Sequence, residues 1–320
     1  MRSCTVQILA AGAFAVATAC QSSPTKTIGV VPKGANHIFW QTVHAGAVKA
    51  AREYGYQVEW KAPTLEVDSA RQIEIVESMV NRKLAGIVLA PVDKKALVAV
   101  VERAGLQRVP VAIFDSGIDT RKILSYVATN NEEGGRLAAR RMGEILGGKG
   151  KVAVVGFMPG SASTMERESG FESEVKAEFP GIQIVGMQFG QASQAKSMAA
   201  AENFMSAHPD LSGLFADNES STAGAVQALK GRNARQVKLV GFDASEPLVT
   251  ALKEGWIDSL VVQNPFRMGY ESTRAVCRHL AGEPVAPTVD SGVRIVLRDE
   301  LEKPDVKELL FPDLKPWLGR

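Results

Sequence analysis

Asn36, His37, Phe39 and Trp40 lie within "GANHIFWQTVHAGAVKAAREYGY", where the apolar run "TIGVVP" hands over to a helical pattern. Chains normally place small capping residues at such a handover, so two large aromatics beside an amide and an imidazole suggest a bound group. Further groups of this kind close later apolar runs: Ala90, Asp115, Asp217, Asn218, Asp243 and Gln263. Carboxylates accept hydrogen bonds from adjacent hydroxyls, amides donate and accept, and aromatic rings cover C–H faces. A neutral polyhydroxyl compound needs that mixture. A phosphate would need lysine and arginine, which are scarce at these run ends.

Catalysis finds little support. His37, His44, His208 and His279 show no metal spacing, and there is no Gly-x-Ser-x-Gly elbow. "GFMPGSAST" resembles a phosphate loop but lacks the Gly-Lys-Ser/Thr ending, so it gives no nucleotide site. "AHPD" around His208 reads as a helix end.

The elements that must position these groups are legible. The strand candidates are "TIGVVP", "YQVEW", "GIVLAP", "VPVAIF", "SYVAT", "KVAVVGF", "IQIVGM", "SGLFA", "VKLVGF" and "DSLVV". Most are separated by segments with apolar spacing near 3.6, such as residues 70–80 and 137–146. Apolar strands alternating with helices indicate parallel sheets covered on both faces. The halves also resemble each other. "LAGIVLAPVD" aligns with "LSGLFADNES", and "VPVAIFDSG" with "VKLVGFDAS", at offsets of 127 and 128 residues. The fold class is therefore α/β, with two similar doubly wound lobes. Ligands of such sheets bind beyond the carboxyl ends of the strands, so the two lobes would enclose a cleft.

Each residue also has a plainer reading. Phe39 starts an apolar helical stripe with Val43, Ala47 and Tyr54, as core residues do. Trp40 lies off that stripe, beside His44, and is the stronger candidate for the cleft. His37 alone suits a surface or capping position, while Asp115 and Asp243 suit turns or N-caps. The matched placement of the two aspartates in the repeat favours the cleft. Cys277 reads as a small buried apolar residue on a helix.

With 45% hydrophobic and 22% charged residues the chain has the composition of a globular protein. Its formal charge of +2 gives no pull towards nucleic acid. Residues 1–19, "MRSCTVQILAAGAFAVATA", suit a signal peptide, and residues 20–26 a polar tether. Cys20 follows an imperfect lipobox with Ala17 in place of leucine; lipidation there and plain cleavage both remain open, and both imply export. Cys4 and Cys20 belong to that leader, so Cys277 alone leaves the body with neither internal disulfide nor cysteine metal site.

The ordered segments "NHIFWQTVHAGAVKAAREYGY", "GIVLAPVD", "VPVAIFDSG", "YVATNNEEGGRLAA", "MERESGF", "AHPDLSGLFADNES", "VKLVGFD" and "VVQNPFRMGY" resemble the type I periplasmic sugar-binding proteins of bacterial ATP-binding-cassette importers, of the ribose and galactose type. The likeness runs from Thr27 to about Leu297. It implies a first lobe of residues 27–129 plus 264–290, a second of 130–263 plus 291–320, and a three-strand hinge near Asn130, Gln263 and Asp290. It implies a monomer without cofactor or metal, a carbohydrate ligand, a membrane permease as partner, and a location in the periplasm or at the cell surface, with contact to the membrane only through a lipid on Cys20.

By that resemblance His37 falls where ribose-binding relatives place an asparagine, and Phe39 and Trp40 on the aromatics that flank the sugar ring. Asp115, Asn218, Asp243 and Gln263 fall on polar sugar ligands. Ser116 and Met165 stand where relatives carry sugar-binding arginines, with Arg167 on a structural position, which puts ribose in doubt and suggests another pentose, a hexose or a sugar alcohol. The second-lobe aromatic expected near Ala192 is absent, with Phe157, Phe189 and Phe266 as substitutes. Delivery to a chemoreceptor or sensor kinase, or an exported sugar-active α/β enzyme, are the alternatives. A transcription regulator of the lac-repressor type is disfavoured because an export signal precedes Thr27 where a helix-turn-helix would stand.

Overall fold

In the computed structural model, which describes residues 26–35 and 37–319, the apolar runs become strands covered on both faces. The leader, Cys20 and Asn36 lie outside the described residues. One sheet contains β1 (Thr27–Val31), β2 (Gln57–Trp60), β3 (Gly86–Leu89), β4 (Val111–Phe114), β5 (Ser125–Ala128) and β11 (Thr288–Asp290). The other contains β6 (Lys149–Gly156), β7 (Gly181–Phe189), β8 (Leu211–Ala216), β9 (Lys238–Phe242), β10 (Ser259–Gln263) and β12 (Val293–Leu297).

The spatial orders are β11-β5-β4-β3-β1-β2 and β12-β10-β9-β8-β6-β7. The first order maps strand for strand onto the second, so the internal repeat seen in the sequence is a repeat of topology. One strand departs from a wholly parallel arrangement: β12 runs antiparallel to β10. It belongs to no βα unit, and β11 is only three residues long.

The connecting helices are α1 (Ile38–Glu53), α2 (Ser69–Asn81), α3 (Val98–Leu106), α4 (Asn131–Leu146), α5 (Ala162–Glu178), α6 (Gln194–Ala207), α7 (Glu219–Gly231), α8 (Glu246–Lys253) and α9 (Pro265–Leu280), followed by α10 (Pro304–Leu310) and α11 (Lys315–Leu318). Short polar residues start several of them. Asn130, Asn218 and Asn264 accept from the backbone N–H of Glu133, Ser221 and Arg267, each satisfying one of the unpaired donors of a first turn. Each lobe also has helices in direct backbone contact. A Cβ built on Gly46 of α1 would lie 2.0 Å from Phe266 O, and one on Gly269 of α9 2.0 Å from Val43 O. Gly135 and Gly170 do the same for α4 and α5.

The chain passes between the sheets three times, after Ala128, after Gln263 and after Asp290. The crossings lie together. Thr129 Oγ1 donates to Gln263 Oε1 at 2.8 Å, and Asp290 Oδ1 accepts from Gly292 N at 2.8 Å and Asn130 N at 3.3 Å.

Beyond β12 the chain does not stay with the second lobe, where residues 291–320 were expected. Val306 and Leu310 of α10 are buried in its core, but α11 lies against α1 of the first. There Arg52 donates to Pro316 O and Trp317 O, and the Trp317 ring faces Phe266 with centroids 6.5 Å apart. Amphipathic helix pattern cannot say which lobe a terminal segment docks on; the exposed cations of α1 and the ring of Phe266 decide it.

Candidate functional site

Three residues past β1, Gly34 is followed by the turn into α1, and the side chains around this turn form the first-lobe wall. Phe39 and Trp40 pack edge to face with centroids 4.8 Å apart, and Trp40 meets Phe114 likewise at 6.3 Å. Both rings line the cavity while also belonging to the core. His37 occupies the N-cap position of α1 but makes no side-chain cap hydrogen bond. Its imidazole instead lies 3.5 Å from Glu66 Oε1 and 3.2 Å from Glu219 Oε2, the latter on the other lobe.

Asp115 and Asp243, matched in the repeat, are matched in conformation. Both have positive φ, 61° and 68°, which Asp tolerates better than most residues. The backbone N–H of each donates to a valine carbonyl on the next strand, Val127 for Asp115 and Val261 for Asp243. Each aspartate thus sits in a left-handed turn at a sheet end and also lines the cavity between the lobes. Asp243 Oδ1 accepts from Gln263 Nε2 at 2.7 Å, and Oδ2 from Glu219 N at 3.0 Å.

Lys33 crosses the cleft. Its Nζ lies 2.9 Å from Asp115 Oδ2 and donates to Ser161 Oγ at 3.2 Å and Ser163 Oγ at 3.1 Å on the second lobe. Lys33 is only 4% exposed. Arg167 donates to Asn131 Oδ1 and to Asp217 O, and its guanidinium lies 3.8 Å from the Phe242 ring centroid. The space left among these groups is small, about 40 Å³ for the centres of water-sized spheres.

Of the residues singled out from sequence, His37, Phe39, Trp40, Asp115, Asn218, Asp243 and Gln263 line this space. Three do not. Ala90 is fully buried, its carbonyl accepting from Gln72 Nε2. Ser116 is buried beside the cavity, its Oγ accepting from Ser163 N across the lobes. Met165 is 38% exposed and turned away. Arg167 is turned in, because residues two apart on a helix point in nearly opposite directions. Asp217 lies behind the wall, its Oδ2 accepting from Phe157 N. Among the three candidate aromatics, Phe157 lines the cavity, whereas Phe189 is exposed and Phe266 packs on Trp317.

Lys33, Glu66, Ser163, Thr164 and Glu219 also line the cavity and were not read from sequence. Cations are therefore not scarce in the cleft. Acids still outnumber them: Glu66, Asp115, Glu219 and Asp243 face Lys33, Arg167 and His37. Such a balance disfavours an anionic ligand.

Burial by itself lowers the proton affinity of His37, but the hydrogen bond to Glu219 and the charges of Glu66, Glu219 and Asp243 outweigh it, raising its pKa to about 9. Burial raises Glu66, against the pull of His37, Trp40 and Lys33, and raises Asp243, against that of Arg167 and Gln263. Behind the second-lobe wall, Glu168 and Asp217 hydrogen-bond to each other. Burial, with the adjacent Asp217 charge, pushes Glu168 up to about 9, and burial pushes Asp217 up to about 6. Among the described residues Glu168 Oε1 and Asp217 Oδ1 receive no other donor, so one shared proton satisfies both. The Cys277 thiol, fully buried on α9, is pushed up to about 12 by burial.

A family model described as a periplasmic binding protein domain matches residues 28–284. The ribose import binding protein RbsB of Bacillus subtilis (strain 168) is 28% identical over 269 residues, covering 84% of this chain and 86% of that protein. Among solved structures, a carbohydrate transporter solute-binding protein from Agrobacterium radiobacter in complex with D-arabinose superposes with a TM-score of 0.87 at 32% identity, covering 90% of this chain and 99% of that one. A solute-binding protein of an ABC transporter from Agrobacterium vitis with bound D-fucose gives a TM-score of 0.86 at 33% identity, covering 89% and 100%.

Proposed function

The chain belongs to the periplasmic binding protein domain family, and from that premise we propose that it is the solute-binding protein of an ABC importer, capturing a neutral monosaccharide or sugar alcohol between its lobes and delivering it to a membrane permease. One observation carries the reading. The paired rings of Phe39 and Trp40 and the paired strand-end carboxylates Asp115 and Asp243 face one cavity whose walls come from both lobes. Rings suit the apolar face of a sugar, carboxylates suit its hydroxyls, and the acid excess suits a ligand without negative charge.

The mechanism is capture without chemistry. The lobes rotate about the crossings at Asn130, Gln263 and Asp290, and closure expels water and completes hydrogen bonds from both sides. The permease recognises the closed shape. The leader directs export, and lipidation of Cys20 would anchor the monomer at the membrane surface. The mass of the mature protein distinguishes a lipidated from a released form.

A thermal-shift screen of residues 21–320 against pentoses, hexoses, sugar alcohols and inositols tests the proposal. A ligand at about a thousand times its Kd adds roughly 4 kcal/mol to stability. One clear hit, recovered chemically unchanged, supports capture and names the ligand class. A flat response from protein free of co-purified ligand overturns it.

A further inference from the structure

We infer that Glu66, on the loop between β2 and α2, is a specificity-determining residue of the cleft that reads one hydroxyl of the ligand beside the edge of Trp40. This rests on the reading of the cleft as a sugar site and adds to it a residue that does not lie at a strand end.

Glu66 enters the cavity through a gap that only glycine leaves. A Cβ built on Gly34 would stand 2.4 Å from Glu66 Cγ and 2.8 Å from its Oε1, so any larger residue at position 34 would displace the carboxylate. Gly34 needs no left-handed backbone, which leaves this close approach as the physical reason for glycine there. Once inside, one oxygen is committed: Oε1 accepts from Trp40 Nε1 at 2.6 Å and lies 3.5 Å from His37 Nε2. Oε2 accepts no hydrogen bond from the described residues, although the side chain is only 12% exposed.

Among the described residues no donor is at hand to supply one. Lys33 directs its ammonium to Asp115, Ser161 and Ser163, and His37 lies between Glu66 and Glu219. Glu66 lines the cavity, and a carboxylate oxygen there without a protein donor takes its partner from whatever fills the space. The ligand supplies it: a hydroxyl on the rim of a sugar or polyol lying against the indole. A ligand lacking that hydroxyl leaves Oε2 unpaired in the closed cleft, the arrangement by which a polar site rejects a deoxy analogue most strongly.

Glu66→Gln separates reading from positioning, because the amide oxygen still accepts from Trp40 Nε1 while the second position becomes a donor. Calorimetry compares wild type, Glu66→Gln and Gly34→Ala against the tightest-binding compound of the sugar and polyol panel and each of its monodeoxy analogues. Glu66→Gln weakens binding of the parent compound roughly 10- to 100-fold, whereas for one particular deoxy analogue variant and wild type agree. Gly34→Ala gives the same pattern with the carboxylate retained. Equal loss across all analogues, or no loss for the parent, overturns the inference while leaving the sugar site in place. A wild type that binds nothing in the panel overturns the sugar reading itself, and this inference with it.

Discussion

His37 Nδ1 and Glu219 Oε2 stand 3.2 Å apart across the cleft, one at the start of α1 in the first lobe and the other in the first turn of α7 in the second. The pair exists only while the lobes are together. Opening removes Glu219 and Asp243 from His37 but leaves Glu66, so the imidazole falls from about 9 towards its ordinary 6.5.

The sign of the pH effect follows. A group whose pKa is raised in the closed form favours that form fully below its open-form value, and the contribution is lost as pH rises to about 9. Ligand affinity therefore declines over that window, by about tenfold for each unit by which opening lowers the pKa. Calorimetric titrations at pH 6, 7.5 and 9.5 measure it. His37→Gln removes the decline; an unchanged slope in the variant assigns it to another group.

Lys33→Met leaves Asp115 without its cation and cuts both bonds to Ser161 and Ser163. In the open form water can solvate Asp115, so the loss falls on closure. Removing one member of a buried ion pair costs about 3–5 kcal/mol, and the ligand affinity should drop by much of that. Small-angle scattering with saturating ligand should show a larger radius of gyration than for wild type. A variant that closes and binds normally would remove Lys33 from the closing contacts.

At Asp243 the positive φ makes asparagine the informative substitution, since alanine adds backbone strain of about 1 kcal/mol to any loss of contact. Asp243→Asn keeps the shape and the turn but sets an NH2 against either Gln263 Nε2 or Glu219 N, so fold stability should fall by about 1–3 kcal/mol. It removes the charge, and with it roughly 1.5–3 kcal/mol of hydrogen bonding to a ligand hydroxyl. Unfolding curves and binding isotherms measured on the same preparation separate the two effects.

Glu168 is held protonated to about pH 9, against an ordinary value of 4.5. An acid raised in the folded state withdraws stability as pH climbs from the lower value to the higher. Glu168→Gln has no proton to lose, so its melting temperature relative to wild type should rise steadily between pH 5 and pH 9. A difference that stays flat would mean the carboxyl pair shares no proton.

What could be read from sequence was what the parallel sheet dictates. A strand end in a doubly wound lobe is a fixed place, so Asp115, Asp243, Asn218 and Gln263 could be located from their apolar runs alone. Glu66 could not, since its position depends on a missing Cβ at Gly34, a contact between loops that no periodicity encodes. Lys33 was hidden because a lysine past a strand usually faces solvent, and Glu219 by its neighbour Asn218, the evident cap. Met165 was named from the place of an arginine in relatives, and in this chain Arg167, two residues on, lines the cavity instead. Ala90 shows the remaining limit: a strand end places a residue at the site without deciding that its side chain faces it.

The C-terminal segment bears on how far the molecule can gape. With α10 held in one lobe and α11 against the other, residues 311–314 form a leash off the hinge axis. Leu310 and Lys315 are five Cα steps apart and so can separate by at most about 18 Å. Swinging beyond that travel requires Arg52 to release the carbonyls of Pro316 and Trp317. The separation of the lobes is thereby limited by a stretch of chain whose Pro312 lies beside Phe39, Asp243 and Gln263, so changes there alter the rate at which solute enters and escapes.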